Sequence, residues 1–139
     1  MAKEKTVKSW ISLILRAAMA SLFVAAVVPK WKSGPDALLE SFRTMFKGSW
    51  LPMPLVEFQA RMIPYIETLI PIWLISGRRL KEAWIITALV LVSLAFGMLV
   101  VGQGAVAANS YLYVLICCAG LYFSPEDTMT LGVPGKKRK

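Results

Sequence analysis

The stretch WISLILRAAMASLFVAAVV, Trp10 to Val28, decides the fold: it is apolar throughout except for small polar residues and a single charge, Arg16. A helix crossing ~30 Å of hydrocarbon needs roughly 17–25 such residues, and this run is long enough. The lysine-rich start before it and Ala18-Met19-Ala20 within it resemble the parts of a signal peptide. The run is longer than a usual h-region, so it is read as a membrane helix that is kept. Three further stretches of similar length follow, Leu55 to Gly77, Ala83 to Val101 and Ala105 to Phe123.

The composition agrees. In 139 residues, 57% are hydrophobic and the mean hydropathy is +0.60, more apolar surface than a soluble domain of this size can hide. A net charge of +8 also occurs in nucleic-acid-binding proteins, but here the basic residues gather in clusters that flank apolar runs, as charge at a membrane surface does. No nucleic-acid partner is expected; the lipid bilayer is.

Orientation follows from those clusters. The amino-terminal arm, the turn after Gly77 and the tail carry Lys3, Lys5, Lys8, Arg78, Arg79, Lys81, Lys136, Lys137, Arg138 and Lys139. The segment between the first two runs carries only Lys30, Lys32, Arg43 and Lys47. The positive-inside rule then puts both termini and the middle turn in the cytoplasm, which an even number of spans also requires. The expected fold is all-α, a polytopic four-helix membrane bundle, N-in and C-in. Its parts are spans at 10–28, 55–77, 83–101 and 105–123, an outer segment at 29–54 and a basic cytoplasmic tail at 124–139. The membrane expected is the cytoplasmic one of a bacterium or archaeon.

The outer segment has its own pattern. Gly34-Pro35-Asp36 is a helix-start signal and Lys47-Gly48 a stop. Between them Leu38, Leu39, Phe42, Met45 and Phe46 recur at helical spacing, opposite Glu40, Arg43 and Thr44. A short amphipathic helix is predicted, lying on the outer membrane surface or capping the bundle, with Trp31 and Trp50 at the interface.

Charges inside the spans are the candidate site. An ionisable group at membrane depth costs at least ~2.5–3.5 kcal/mol on insertion scales, so it turns inward and finds a partner. Arg16 and Glu67 are the two clear cases. At 1.5 Å per residue Arg16 lies ~9 Å and Glu67 ~15 Å from the inner boundary, an offset an arginine can bridge, so an Arg16–Glu67 ion pair is predicted. A second polar group is expected toward the outer face: Glu57 and Arg61, four apart, with Asn109 at similar depth and Gln59 and Gln103 at the rim. These groups either pin helices together or serve a proton, quinone or substrate. Pro64 and Pro71 bracket Glu67, and each removes a backbone hydrogen bond and favours a kink.

Absences narrow the chemistry. The chain has no histidine, which removes histidine-ligated haem, histidine metal centres and Ser-His-Asp triads. Cys117-Cys118 lacks the spacing of a thiol-exchange motif, and residues adjacent on a helix point about 100° apart, so both are read as packing residues. Gly102-Gln103-Gly104 lacks the strand and third glycine of a dinucleotide site. No metal and no covalently held cofactor is expected, no residue is assigned a catalytic role, and the chain is not expected to be an enzyme on its own.

Several short stretches belong together: Leu15-Arg16-Ala17-Ala18-Met19-Ala20 leading to Val28-Pro29-Lys30-Trp31, then Trp50-Leu51-Pro52, Ile63-Pro64-Tyr65-Ile66-Glu67, Leu74-Ile75-Ser76-Gly77-Arg78, and the closing Gly120 to Asp127. In this order they resemble the DoxX and MauE-like membrane proteins. The resemblance implies a four-helix membrane fold linked to redox systems, either a small subunit of a quinone-reducing complex or an accessory factor in maturing a periplasmic dehydrogenase. The family's arginine and glutamate fall on Arg16 and Glu67. The chain departs from it in lacking a cysteine motif and in having Ala20 or Ala26 where a glycine often stands.

The function expected on this basis is a DoxX-like accessory or quinone-contacting subunit of a larger membrane redox complex, with other membrane or periplasmic subunits as partners and a quinone or lipid as the candidate ligand. A purely structural or assembly role is the alternative. A small proton-coupled transporter ranks third, because four-helix exporters carry their buried glutamate in the first helix, where this chain has an arginine.

Overall fold

The computed structural model describes residues 2–127. They form five α-helices: α1 (Ala2–Ser33), α2 (Pro35–Phe46), α3 (Met53–Ser76), α4 (Leu80–Val100) and α5 (Gly104–Phe123), followed by a 3-10 turn at Ser124–Glu126. The basic tail Lys136 to Lys139 lies outside the described residues.

The first helix is longer than the apolar run that announces it. It passes through Pro29 and ends only at Ser33, where Gly34 turns the backbone at φ 84°. Proline usually stops a helix by clashing with the preceding turn. Here the final turn is held from outside: Trp31 Nε1 donates to Thr68 Oγ1 at 3.0 Å, and the Trp31 ring meets Tyr65 edge-on. The extension carries Lys30 into the helix and over α3.

Helix α2 occupies the predicted outer segment, with Pro35 in its first turn and Lys47 at its C-cap. Its apolar stripe turns onto the bundle. Phe46 is buried and seated against Gly97 of α4, and Phe42 stacks on Phe46.

Helices α1 and α3 pack together, as do α4 and α5; α1 also contacts α5, while the backbones of α3 and α4 approach sparsely and those of α3 and α5 stay apart. Around the bundle the order is therefore α3, α1, α5, α4, with the weakest seam between α3 and α4. A cleft of about 360 Å³ occupies that seam, crossed by Gln59 donating to Ser93 Oγ at 3.4 Å. At the end of the bundle away from α2 the packing is tight: a Cβ added at Gly120 would be driven into the fully buried Trp84 ring.

Three helices among the described residues are long and apolar enough to cross a membrane: Thr6–Ser33 within α1, α4 and α5. Helix α3 is as long, 24 residues, but Glu57, Arg61 and Glu67 lower its hydropathy, so composition alone selects three spans where four were expected. Large apolar side chains such as Phe58, Leu69, Leu89, Leu112 and Leu115 cover the outside of α3, α4 and α5. A soluble surface does not carry such a belt, and the chain is a multi-pass membrane protein.

Candidate functional site

Both buried charges predicted from the sequence are buried, but they are not partners of each other. Arg16, 2% exposed, sits at the end of the bundle where α3 stops. Its Nε donates to the Leu74 carbonyl and one Nη to the Ile75 carbonyl, each at 2.6 Å, and the other Nη lies 3.0 Å from the Asp127 carboxylate. Ser12 Oγ donates to the same carboxylate at 2.6 Å.

The chemistry explains the choice. Helix α3 ends at Gly77, whose φ of 72° few other residues adopt comfortably; the Gly77 N–H donates to the Leu74 carbonyl at 3.3 Å, and the last-turn carbonyls keep lone pairs that no helical N–H fills. Arg16 supplies donors to two of them and is neutralised by an acid from beyond α5. Glu67 lies seven residues before Leu74, ~10 Å further along α3 at 1.5 Å per residue, which is out of the guanidinium's reach. The carbonyl-rich end of α3 competes for the guanidinium, and depth along the helices does not reveal that competitor.

Glu67 is instead held by Lys30. The Lys30 ammonium contacts both carboxylate oxygens, at 2.6 and 2.5 Å. The Glu67 side chain is 3% exposed and that of Lys30 25%, so this pair sits at the edge of an open space. That space is a cavity of about 520 Å³ in the half of the bundle nearer α2, bordered by Lys30 and Glu67, roofed by Phe42 of α2 and backed by Leu91 of α4. Ser110 and Tyr113 of α5 reach it from the side opposite α3.

The backbone adds to the polarity at this point. Pro71 has no N–H to offer the Glu67 carbonyl, and Pro64 likewise offers none to Ala60. Both prolines are buried within a helix that continues through them, and Thr68 Oγ1 donates to the Pro64 carbonyl at 2.7 Å.

In chemical terms the cavity is an apolar chamber with one compensated ion pair in its wall. Two of the three ammonium donors of Lys30 serve Glu67, which leaves one for a carbonyl or hydroxyl oxygen. Because the pair is net neutral, the wall suits an uncharged head group better than a strong cation or anion. Among the described residues no cluster of three or more carboxylates and thiols gathers as a metal site would.

The outer polar group is distributed differently from the expectation. Glu57 pairs with Arg43 of α2 at 2.8 Å rather than with Arg61, and that hydrogen bond and charge raise the basicity of the Arg43 guanidinium. Arg61 is exposed. Asn109 is also exposed and lies on α5, whose backbone stays apart from that of α3, so equal depth does not bring it to Glu57. Cys117 is buried in the core and Cys118 faces outward, and neither is in a disulfide.

Besides Arg43, the charges whose partners are not legible in the sequence are Lys30 and Asp127. Lys30 was hidden by Pro29, which reads as a helix end, and Asp127 by its place after the last apolar run. The available signal was a charge balance, since a buried Glu67 and a buried Arg16 each require an opposite charge on a neighbouring element.

Comparison with curated proteins and with solved structures finds no match. A family model described as methylamine utilisation protein MauE matches residues 8–121, a range that takes in Arg16, Lys30 and Glu67 and stops short of Asp127. Of the two related family names the sequence resembles, the match supports this one: the chain belongs to the MauE family of membrane proteins.

Proposed function

We propose that this chain is a small accessory subunit of a membrane redox system, and that its outer cavity receives the head of an uncharged, membrane-soluble molecule, a quinone being the leading candidate. The observation that carries this reading is the Lys30–Glu67 pair in the wall of an otherwise apolar chamber of about 520 Å³. A pair needed only as helix glue would be expected to be sealed on all sides, as the Arg16 cluster is. The redox setting comes from membership of the MauE family.

In this reading α3 is the fourth span. Its 24 residues extend ~36 Å, and it runs antiparallel to α1 with Leu69 and Ile72 turned outward. Asp127 meets Ser12 and Arg16, so the start of α1 and the end of α5 share one end of the bundle. The basic residues Arg78, Arg79 and Lys81 lie at that end too, which the positive-inside rule assigns to the cytoplasm of a bacterial or archaeal cell. The cavity then opens in the outer half, near periplasmic or extracellular partners. A cation exporter is disfavoured because Lys30 already neutralises the one buried glutamate of α3.

The test is Glu67→Gln in membranes containing the intact partner complex. Electron transfer to the quinone pool is expected to fall at least tenfold while the subunit still co-purifies with its partners. Unchanged electron transfer with intact assembly would sink the quinone-contacting role and leave the assembly role.

A further inference from the structure

We infer that the outer cavity is filled sideways from the bilayer, through a gap between α1 and α5, and that its ligand is a neutral molecule with a hydrogen-bonding head and an apolar chain. This rests on the cavity being a binding site, as proposed above. The argument is the change in burial around its wall. On the α3 and α4 sides Glu67 and Leu91 are buried, so the chamber is closed there. The roof is closed as well: α2 is fastened to α3 by the Arg43–Glu57 pair and to α4 by Phe46 against Gly97.

The α1 and α5 edges differ. Ala25, Ala26 and Val106 border the cavity and are exposed at the same time, Val106 at 48%. A residue that lines a chamber and is also exposed stands at an opening. The two alanines have no side chain beyond Cβ with which to fill it.

The depth of the gap decides what passes through. Ala26 lies one turn inward of Lys30, ~6 Å deeper along the helix, within the stretch of α1 apolar enough to span the membrane. The opening therefore faces hydrocarbon and not water. A head group bound at the spare Lys30 donor would leave its chain lying over Ala25 and Ala26 and out into lipid.

The experiment uses the full chain in phospholipid nanodiscs with a diazirine-tagged decyl benzoquinone as probe, mapping labelled peptides by mass spectrometry. Labelling is expected on α1 around Ala25 and Ala26 and on α5 around Val106, and unlabelled decyl benzoquinone should compete at least tenfold better than the same ring without its chain. Competition by dioleoylglycerol tells whether a glycerol head is accepted in place of a quinone ring; a chain-bearing competitor of either kind supports the route. Ala26→Trp is expected to cut labelling at least tenfold, and Val106→Trp, from the opposite edge, to do the same should the first variant fail to fold. Leu115→Trp, on the lipid-facing side of α5, should leave labelling unchanged. If the cavity is labelled, the chainless ring competes equally and neither tryptophan blocks it, loading from the bilayer is overturned while the binding site stands. If the wild-type cavity is not labelled at all, the binding-site reading itself fails and this inference with it.

Discussion

Helix α1 carries two cations into the membrane, and the protein treats them in opposite ways. Arg16 is 2% exposed and its partner Asp127 0% by side chain, and their ion pair joins α1 to the segment after α5. Lys30 keeps 25% of its side chain exposed and faces a chamber. Burial of a charge does not by itself distinguish structure from function. What distinguishes these two is what lies beside them: the guanidinium is enclosed among two helix-end carbonyls and an acid, whereas the ammonium borders an open chamber.

The contrast is open to direct attack, most severely at the inner end. Arg16→Met leaves Asp127 buried without its arginine and removes the side-chain donors of two α3 carbonyls, and removing one partner of a buried pair typically costs about 3–5 kcal/mol. The expected result is a collapse in yield and thermal stability of the detergent-solubilised protein. A variant as stable as wild type would show that the cluster is not the clasp described here.

The next effect belongs to the same end. Gly120→Ala forces a methyl group into the Trp84 ring, and overpacking of this kind costs about 1–3 kcal/mol. Combining it with Trp84→Phe should restore part of the loss, because the smaller ring makes room; strictly additive losses in the two variants would argue against direct contact.

The smallest stability effect is expected at the outer pair. Glu67→Gln keeps the shape and an oxygen acceptor, and Lys30 can turn its ammonium toward the open chamber, so the loss is expected to be about 1 kcal/mol. Thermal unfolding compared with Arg16→Met reads the difference. Equal destabilisation by the two variants would erase the distinction between clasp and site.

The parts of this architecture that are legible in sequence are the ones encoded locally. Gly34-Pro35-Asp36 and Lys47-Gly48 mark α2 because helix caps act through the residues that carry them. Arg16 and Glu67 stand out because a charge in an apolar run is costly wherever the helix lies. Their partners are not legible by the same means. Which cation reaches Glu67 depends on how far α1 continues past Pro29 and on its offset against α3, and neither is a property of a single segment. Asn109 makes the same point, since depth along a helix can be estimated from sequence but adjacency in the bundle cannot: the backbones of α5 and α3 stay apart.

The Asp127 carboxylate lies 111 residues after the arginine it neutralises. During synthesis Arg16 enters the bilayer with the first helix, and its counter-charge is made only after the last helix has followed. Until then the chain holds a charge in the membrane that nothing has yet matched, and a product that stops within α5 keeps that defect. The ion pair thus makes completion of the chain a condition of its stability, and gives quality control at the membrane a means of telling finished molecules from unfinished ones.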